Sequence, residues 1–172
     1  MQFAKDSFYM ALRQRLAAVN PGRMVTVNGV TFPAVIVAEN ELVVPVDPLP
    51  DAFYLEWGAA SPVSRQDGSR RLMGMECVIS YHTFGTVQSG VDRGRTLAEL
   101  DMELLSICQP PHTEKQDFSQ SPSADLGTAL AWSEPVFGDV AGIIAQESTA
   151  RRIRLERKTV VKVFFFPEVN FL

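Results

Sequence analysis

From Arg152 to Phe165 apolar and polar side chains alternate almost residue by residue. Ile153, Leu155, Thr159, Val161, Val163 and Phe165 fall on one side, with Arg157 as an interruption, and Arg152, Arg154, Glu156, Lys158 and Lys162 on the other. A period of two is the signature of a β-strand with one buried and one open face, and no helix can present this pattern as a single stripe. A second long run, Arg71 to Phe84, repeats the arrangement: Met73, Met75, Cys77, Ile79 and Tyr81 alternate with a mixed set that includes Glu76, Val78, Ser80 and His82. Two strands of this length demand a sheet, and their apolar faces demand a cover, which suits an interior or subunit-facing position.

The rest of the chain supplies both. Asn28-Gly29 sits between the β-branched runs Met24–Val27 and Val30–Phe32, the strongest short-range hairpin signal, because both turn positions need positive φ. Phe32–Ala38 and Phe53–Trp57 read as further strands, separated by the proline-rich connection Val46–Asp51. Phe8, Leu12, Leu16 and Val19 make one apolar stripe, which predicts a helix over 6–19. Asp6 or Ser7 is placed to cap it, Asn20-Pro21-Gly22 to stop it, and Arg13, Gln14 and Arg15 to face water. A second helix is predicted over Leu97–Cys108, opened by a Thr96/Glu99 capping box and ended by Pro110-Pro111. Thr128–Phe137 returns to strand character, and Gly138–Thr149 reads as a tip or crossing loop.

This order predicts a single α+β domain over 1–172, an antiparallel or mixed sheet with two helices packed on one face. Polar segments at 58–69, 86–95 and 112–127 read as flexible loops or arms. Sister copies could dock on such arms and on exposed sheet edges.

Composition narrows the chemistry. With 46% hydrophobic residues and 21% charged, the 172-residue chain is neither disordered nor collagen-like. Its net charge of −4 argues against a generally basic nucleic-acid binder. Cys77 and Cys108 fit no metal motif and read as buried, reduced thiols, or else as a single bridge. His82 and His112 have no ligand partners at metal spacing, so neither metal nor cofactor is expected. Gly85, Gly90 and Gly94 lie loosely before the second helix, an anion cradle or a hairpin tip. No apolar run approaches the ~18 residues of a membrane helix, and the N-terminus lacks the apolar stretch of a signal peptide, so a soluble, cytoplasmic protein is expected.

The sharpest charge feature is the cluster Arg151, Arg152, Arg154, Arg157, Lys158 and Lys162. At strand period Arg152, Arg154, Lys158 and Lys162 form a row on one face. Such a row suits a passing phosphate backbone, an acidic patch on a neighbouring subunit, or simply a solvated sheet face with Glu156 nearby.

Phe32-Pro33-Ala34-Val35-Ile36-Val37 with Glu39 and Glu41 behind it, the strand Glu76–Tyr81, the helix Leu97–Cys108 and two closing strands form a layout similar to that of the tail terminator (tail completion) proteins of long-tailed bacteriophages and related prophage or contractile-tail systems. The segments 58–69 and 112–127 are additions to that pattern. The resemblance implies helices on a sheet and assembly into a hexameric ring that caps the tail tube, stops its growth and joins it to the head. Its partners would be sister copies, the tube and the head–tail connector, first in the bacterial cytoplasm and then in the virion tail or neck. It implies no catalytic residues and makes the row Arg152, Arg154, Lys158, Lys162 a lining of the lumen where DNA passes, or an inter-subunit contact. Two alternatives remain: another neck or head-completion component, and a small α+β enzyme or ligand-binding domain using candidates such as His82, Glu76, Asp92 and Arg95.

Overall fold

The two long strands lie side by side. In a computed structural model that describes residues 1–41, 48–63, 71–85, 92–146 and 151–168, β5 (Met73–Thr83) and β10 (Arg151–Phe165) pair antiparallel from Leu155↔Thr83 to Phe165↔Met73. Around them an eight-stranded sheet runs β3 (Val35–Val37), β4 (Phe53–Pro62), β5, β10, β7 (Ala124–Trp132), β6 (His112–Asp117). β8 (Val136–Phe137) and β9 (Ala141–Gln146) also pair with β10. Only β3–β4 is parallel among these pairings. The Asn28-Gly29 turn closes the separate hairpin β1 (Met24–Val27)–β2 (Val30–Pro33), with φ of 50° and 80° at the two turn residues.

The strand alternation has the consequence read from the sequence. Met75, Cys77, Ile79 and Tyr81 of β5 and Thr159, Val161, Val163 and Phe165 of β10 are all buried on one face. Two helices, α1 (Gln2–Val19) and α3 (Asp92–Ile107), cover that face through Phe8, Leu12, Leu16, Leu97, Leu100 and Leu104. Phe8 packs edge-on against both Trp57 (5.6 Å between centroids) and Trp132 (5.1 Å), joining β4 to β7 through α1. Each fully buried aromatic of this kind contributes roughly 1.5–3 kcal/mol, so this crossing anchors the helical layer. The α+β class stands, with a third short helix, α2 (Ala38–Glu41), after β3.

Several local expectations need correction. α1 starts at Gln2 rather than residue 6, with Met1 at its N-cap; Ser7 is buried inside it, and its hydroxyl accepts from Gln116 N at 2.9 Å. Val19 is half exposed and leaves the apolar stripe. Arg13 and Arg15 are not on a wet side. Arg13 donates to Val35 O and Glu41, and Arg15 to three backbone carbonyls, because their long stems carry the guanidinium back over the sheet margin. α3 begins at Asp92, so the Thr96/Glu99 box is no cap: Thr96 sits in the second turn and bonds back to Asp92 O.

The three arms also change character. Of 58–69, residues 58–62 continue β4, past a bulge between Trp57 and Ala60, and 64–69 lie outside the described residues. Of 86–95, residues 92–95 are the first turn of α3 and 86–91 lie outside the described residues. Segment 112–127 is a β-hairpin, not a flexible arm. Its polar residues build the turn: Asp117 accepts from Ser119 N, Ser119 Oγ and Gln120 Nε2, bonds that hold its carboxyl below the usual range. Within the tip expected at Gly138–Thr149, residues 141–146 form β9.

Candidate functional site

α1 and α3 lie on one side, so among the described residues neither covers the opposite face of the sheet, where only Ala38 of the short α2 and Pro48 reach its end beside Tyr54. Its side chains follow from register: Glu56 on β4; Glu76, Val78 and Ser80 on β5; Lys158, Val160, Lys162 and Phe164 on β10; Ala131 on β7; and Val136 on β8. Glu56, Glu76, Lys158 and Lys162 are exposed, and Val136 is 67% exposed. Val160 is flanked by Val78 on one side and Val136 on the other, an apolar strip across the sheet. Toward the other end of the face Leu49 N donates to Tyr54 Oη at 2.5 Å, and Tyr54 and His82 are buried there.

Of the predicted basic row, Arg154, Lys158 and Lys162 lie on this outer face. Arg154, Lys158 and Lys162 alternate with the buried β10 residues, as strand period requires, and Arg152 stands in register with Ala145 of β9. The row does not form an unbroken positive stripe. Arg154 is ion-paired with Glu156 at 3.1 Å, and Lys162 faces Glu76 across the ladder. A phosphate backbone would meet carboxylates as often as cations on this surface, so charge alone gives it little attraction for DNA. Arg157, the interruption in the apolar side, turns inward and pairs with Asp101 of α3 at 3.3 Å, where Tyr81 Oη also donates at 2.5 Å. Burial and that carboxylate push the Tyr81 hydroxyl well above its ordinary pKa, so it stays a neutral donor.

The residues named as enzyme candidates are not gathered. His82 and Glu76 lie six positions apart on β5, roughly 20 Å along a strand. Arg95 stands on α3, on the far side of the sheet, beside Val19 and Glu99 in an open groove of about 620 Å³. Asp92 opens α3. A cleft of about 160 Å³ lies on the sheet face beside Tyr54, Ser80, His82, Arg154, Glu156 and Lys158. It is smaller than the ~300 Å³ at which ligand pockets usually begin. Cys77 and Cys108 are buried free thiols; burial pushes Cys108 up to about 12 and Cys77 upward as well, so neither is a ready nucleophile. Among the described residues no group of three or more His, Cys, Asp or Glu side chains is placed to hold a metal, and no helix is long and apolar enough to cross a membrane. Of the loose glycines, Gly85 follows β5 with φ of 68°, Gly94 lies in α3 and Gly90 is outside the described residues.

The sheet margins were not visible in the sequence. The outer side of β3 is closed by side chains: Arg13 Nε donates to Val35 O at 2.9 Å and Val37 N donates to Glu41 Oε2 at 2.6 Å. β6 is met by α1, with Ser7 on Gln116 N and Arg15 on His112 O. β5 pairs with β10 only as far as Leu155, so Arg151–Arg154 is held by β9 alone among the described residues. The β9–β10 ribbon therefore runs past the end of its neighbour, with Ile153 47% exposed.

The chain matches no protein-family model, and no curated protein is a significant match to it. Its surfaces, rather than any relative, carry the functional reading.

Proposed function

We propose that this chain is a structural assembly protein of a phage-type tail, acting as a terminator whose copies close into a ring on the tail tube and join it to the head. The observation that carries the reading is the β9–β10 ribbon. Among the described residues only β9 pairs with Arg151–Arg154, at one end of the domain, while β3 and β6 are plugged by Arg13, Glu41 and Ser7. A strand margin of this kind, set against the plugged edges of β3 and β6, favours a directional, head-to-tail contact, the kind that generates rings when the rotation closes. No catalytic step is assigned: Glu76 lies roughly 20 Å along β5 from His82, and Arg95 stands on α3.

Within this reading the basic row is a contact between proteins rather than a lumen lining, since Glu56, Glu76 and Glu156 share its face. The test is deletion of the gene from an inducible phage or prophage that carries it. The expected particles are headless tails of uncontrolled length in electron micrographs; tails of normal length joined to heads refute the terminator role.

A further inference from the structure

On the outer face Arg154 and Glu156 of β10 neutralise each other as an ion pair, and the remaining charge is sorted by strand. The acids Glu56 and Glu76 stand on β4 and β5, and the bases Lys158 and Lys162 on β10. All four are exposed, and none takes part in an ion pair among the described residues. Between and beside them run Val78, Val160 and Val136. A face with acids on one side, bases on the other and an apolar strip between is complementary to itself. A second copy turned about an axis along the strands sets its β10 over the first copy's β5, so that lysines meet glutamates twice, by symmetry.

We infer that a second copy of this chain docks face to face on this surface, through Glu56, Glu76, Val78, Lys158, Val160 and Lys162. The contact is isologous, so it differs from the head-to-tail ring contact and does not depend on it. Four strands about 4.8 Å apart and some seven residues long give a footprint of roughly 450 Å² per copy. A pair then buries on the order of 900 Å², the size of weak, reversible contacts. Much of the attraction is ionic and peripheral, so salt weakens it.

Analytical ultracentrifugation of the full chain from about 1 to about 200 µM tests this, at low salt and again near 0.5 M salt. The expected result is a monomer–dimer equilibrium whose association falls several-fold in high salt. Lys158→Glu with Lys162→Glu should abolish the dimer, and adding Glu56→Lys with Glu76→Lys should restore it. Circular dichroism checks that each variant folds. Where the reversed variant does not fold, Val136→Asp interrogates the same face and should also abolish the dimer. A chain that stays monomeric throughout, or a dimer untouched by these substitutions, overturns the inference. So does a hexamer indifferent to them, a result that leaves the ring reading standing.

Discussion

Arg15 is the side chain on which the junction of α1, α3 and the β6 edge converges. Its Nη1 donates to Ile107 O at 3.1 Å and Pro110 O at 2.8 Å, and its Nη2 to His112 O at 2.8 Å. The guanidinium lies 5.0 Å from the Trp132 ring, whose Nε1 in turn donates to Cys108 O at 2.8 Å. One cation thus closes the C-terminal end of α3, where positive charge is favoured by the helix dipole. Arg15→Met keeps the stem and removes the donors. The bond to Ile107 O is partly shielded and is worth about 2 kcal/mol as a charged hydrogen bond. The two exposed carbonyls can turn to water, at about 0.5 kcal/mol each. Relief of guanidinium desolvation, the cause that lowers the Arg15 pKa, offsets part of that sum. The net loss is about 2 kcal/mol, which for a 172-residue domain lowers Tm by roughly 4–8 °C. Urea unfolding followed by tryptophan fluorescence measures it, with Trp132 itself as reporter. Arg15→Lys should lose less, since an ammonium reaches fewer of the carbonyls, and Gln14→Ala, on the exposed side of α1, should change nothing measurable. Arg15→Met within 0.5 kcal/mol of the native chain would show that the junction is held by α3 packing alone.

The polar contact between α3 and the sheet gives a second prediction: Tyr81→Phe deletes the donor to Asp101 and costs about 1 kcal/mol, and a double-mutant cycle with Arg157→Leu should be non-additive because both side chains share one carboxylate. Additive losses would mean the two contacts are independent. A third concerns acid: burial pushes the Glu168 carboxyl up, but hydrogen bonds from the N-terminal ammonium and Lys115 outweigh it and hold the pKa below the ordinary 4.5. A carboxyl depressed on folding stabilises above the unfolded value and loses that contribution as pH falls through the folded one. Glu168→Gln should therefore lower stability at neutral pH and flatten the acid limb of a Tm–pH curve below about 4.5; an unchanged limb refutes the pairing.

What was legible in the chain was periodicity. The alternation along β5 and β10 announced both faces of the sheet, and Asn28-Gly29 announced its hairpin, because each is a local rule that tertiary contacts had only to accept. Arg157 already looked anomalous on the apolar side, and its reason, Asp101 on a helix remote in sequence, could not be read without the fold. The hairpin at 112–127 failed for a related cause. Its Ser, Asp and Gln residues looked like solvated loop, yet Asp117 binds its own turn, and Gln116 N finds Ser7 more than a hundred positions away. Composition registers polarity, but it does not say whether a polar group's partner is water or protein. Arg13 and Arg15 were misplaced for the same reason: charge suggested water, and stem length allowed burial.

The closed margins limit how copies can meet. A sheet that recruits neighbours by strand addition must keep a ladder open, and here Arg13 and Glu41 occupy the backbone groups of β3 that a new strand would need. Opening that edge would break the Arg13–Glu41 pair at 2.8 Å and strip the guanidinium from the Phe32 ring, 4.0 Å away, before any new bond formed. Strand exchange at β3 is therefore costly. At β6 the intruder would have to displace α1, whose Phe8 is wedged between two tryptophans. Among the described residues the β9–β10 ribbon margin and the outer sheet face carry no such plug, and in the proposed reading the first would add strands in one direction and the second would pair by charge. The first supports an assembly that must close on itself and the second a contact that salt can undo, so the two can be separated in solution by stoichiometry and ionic strength.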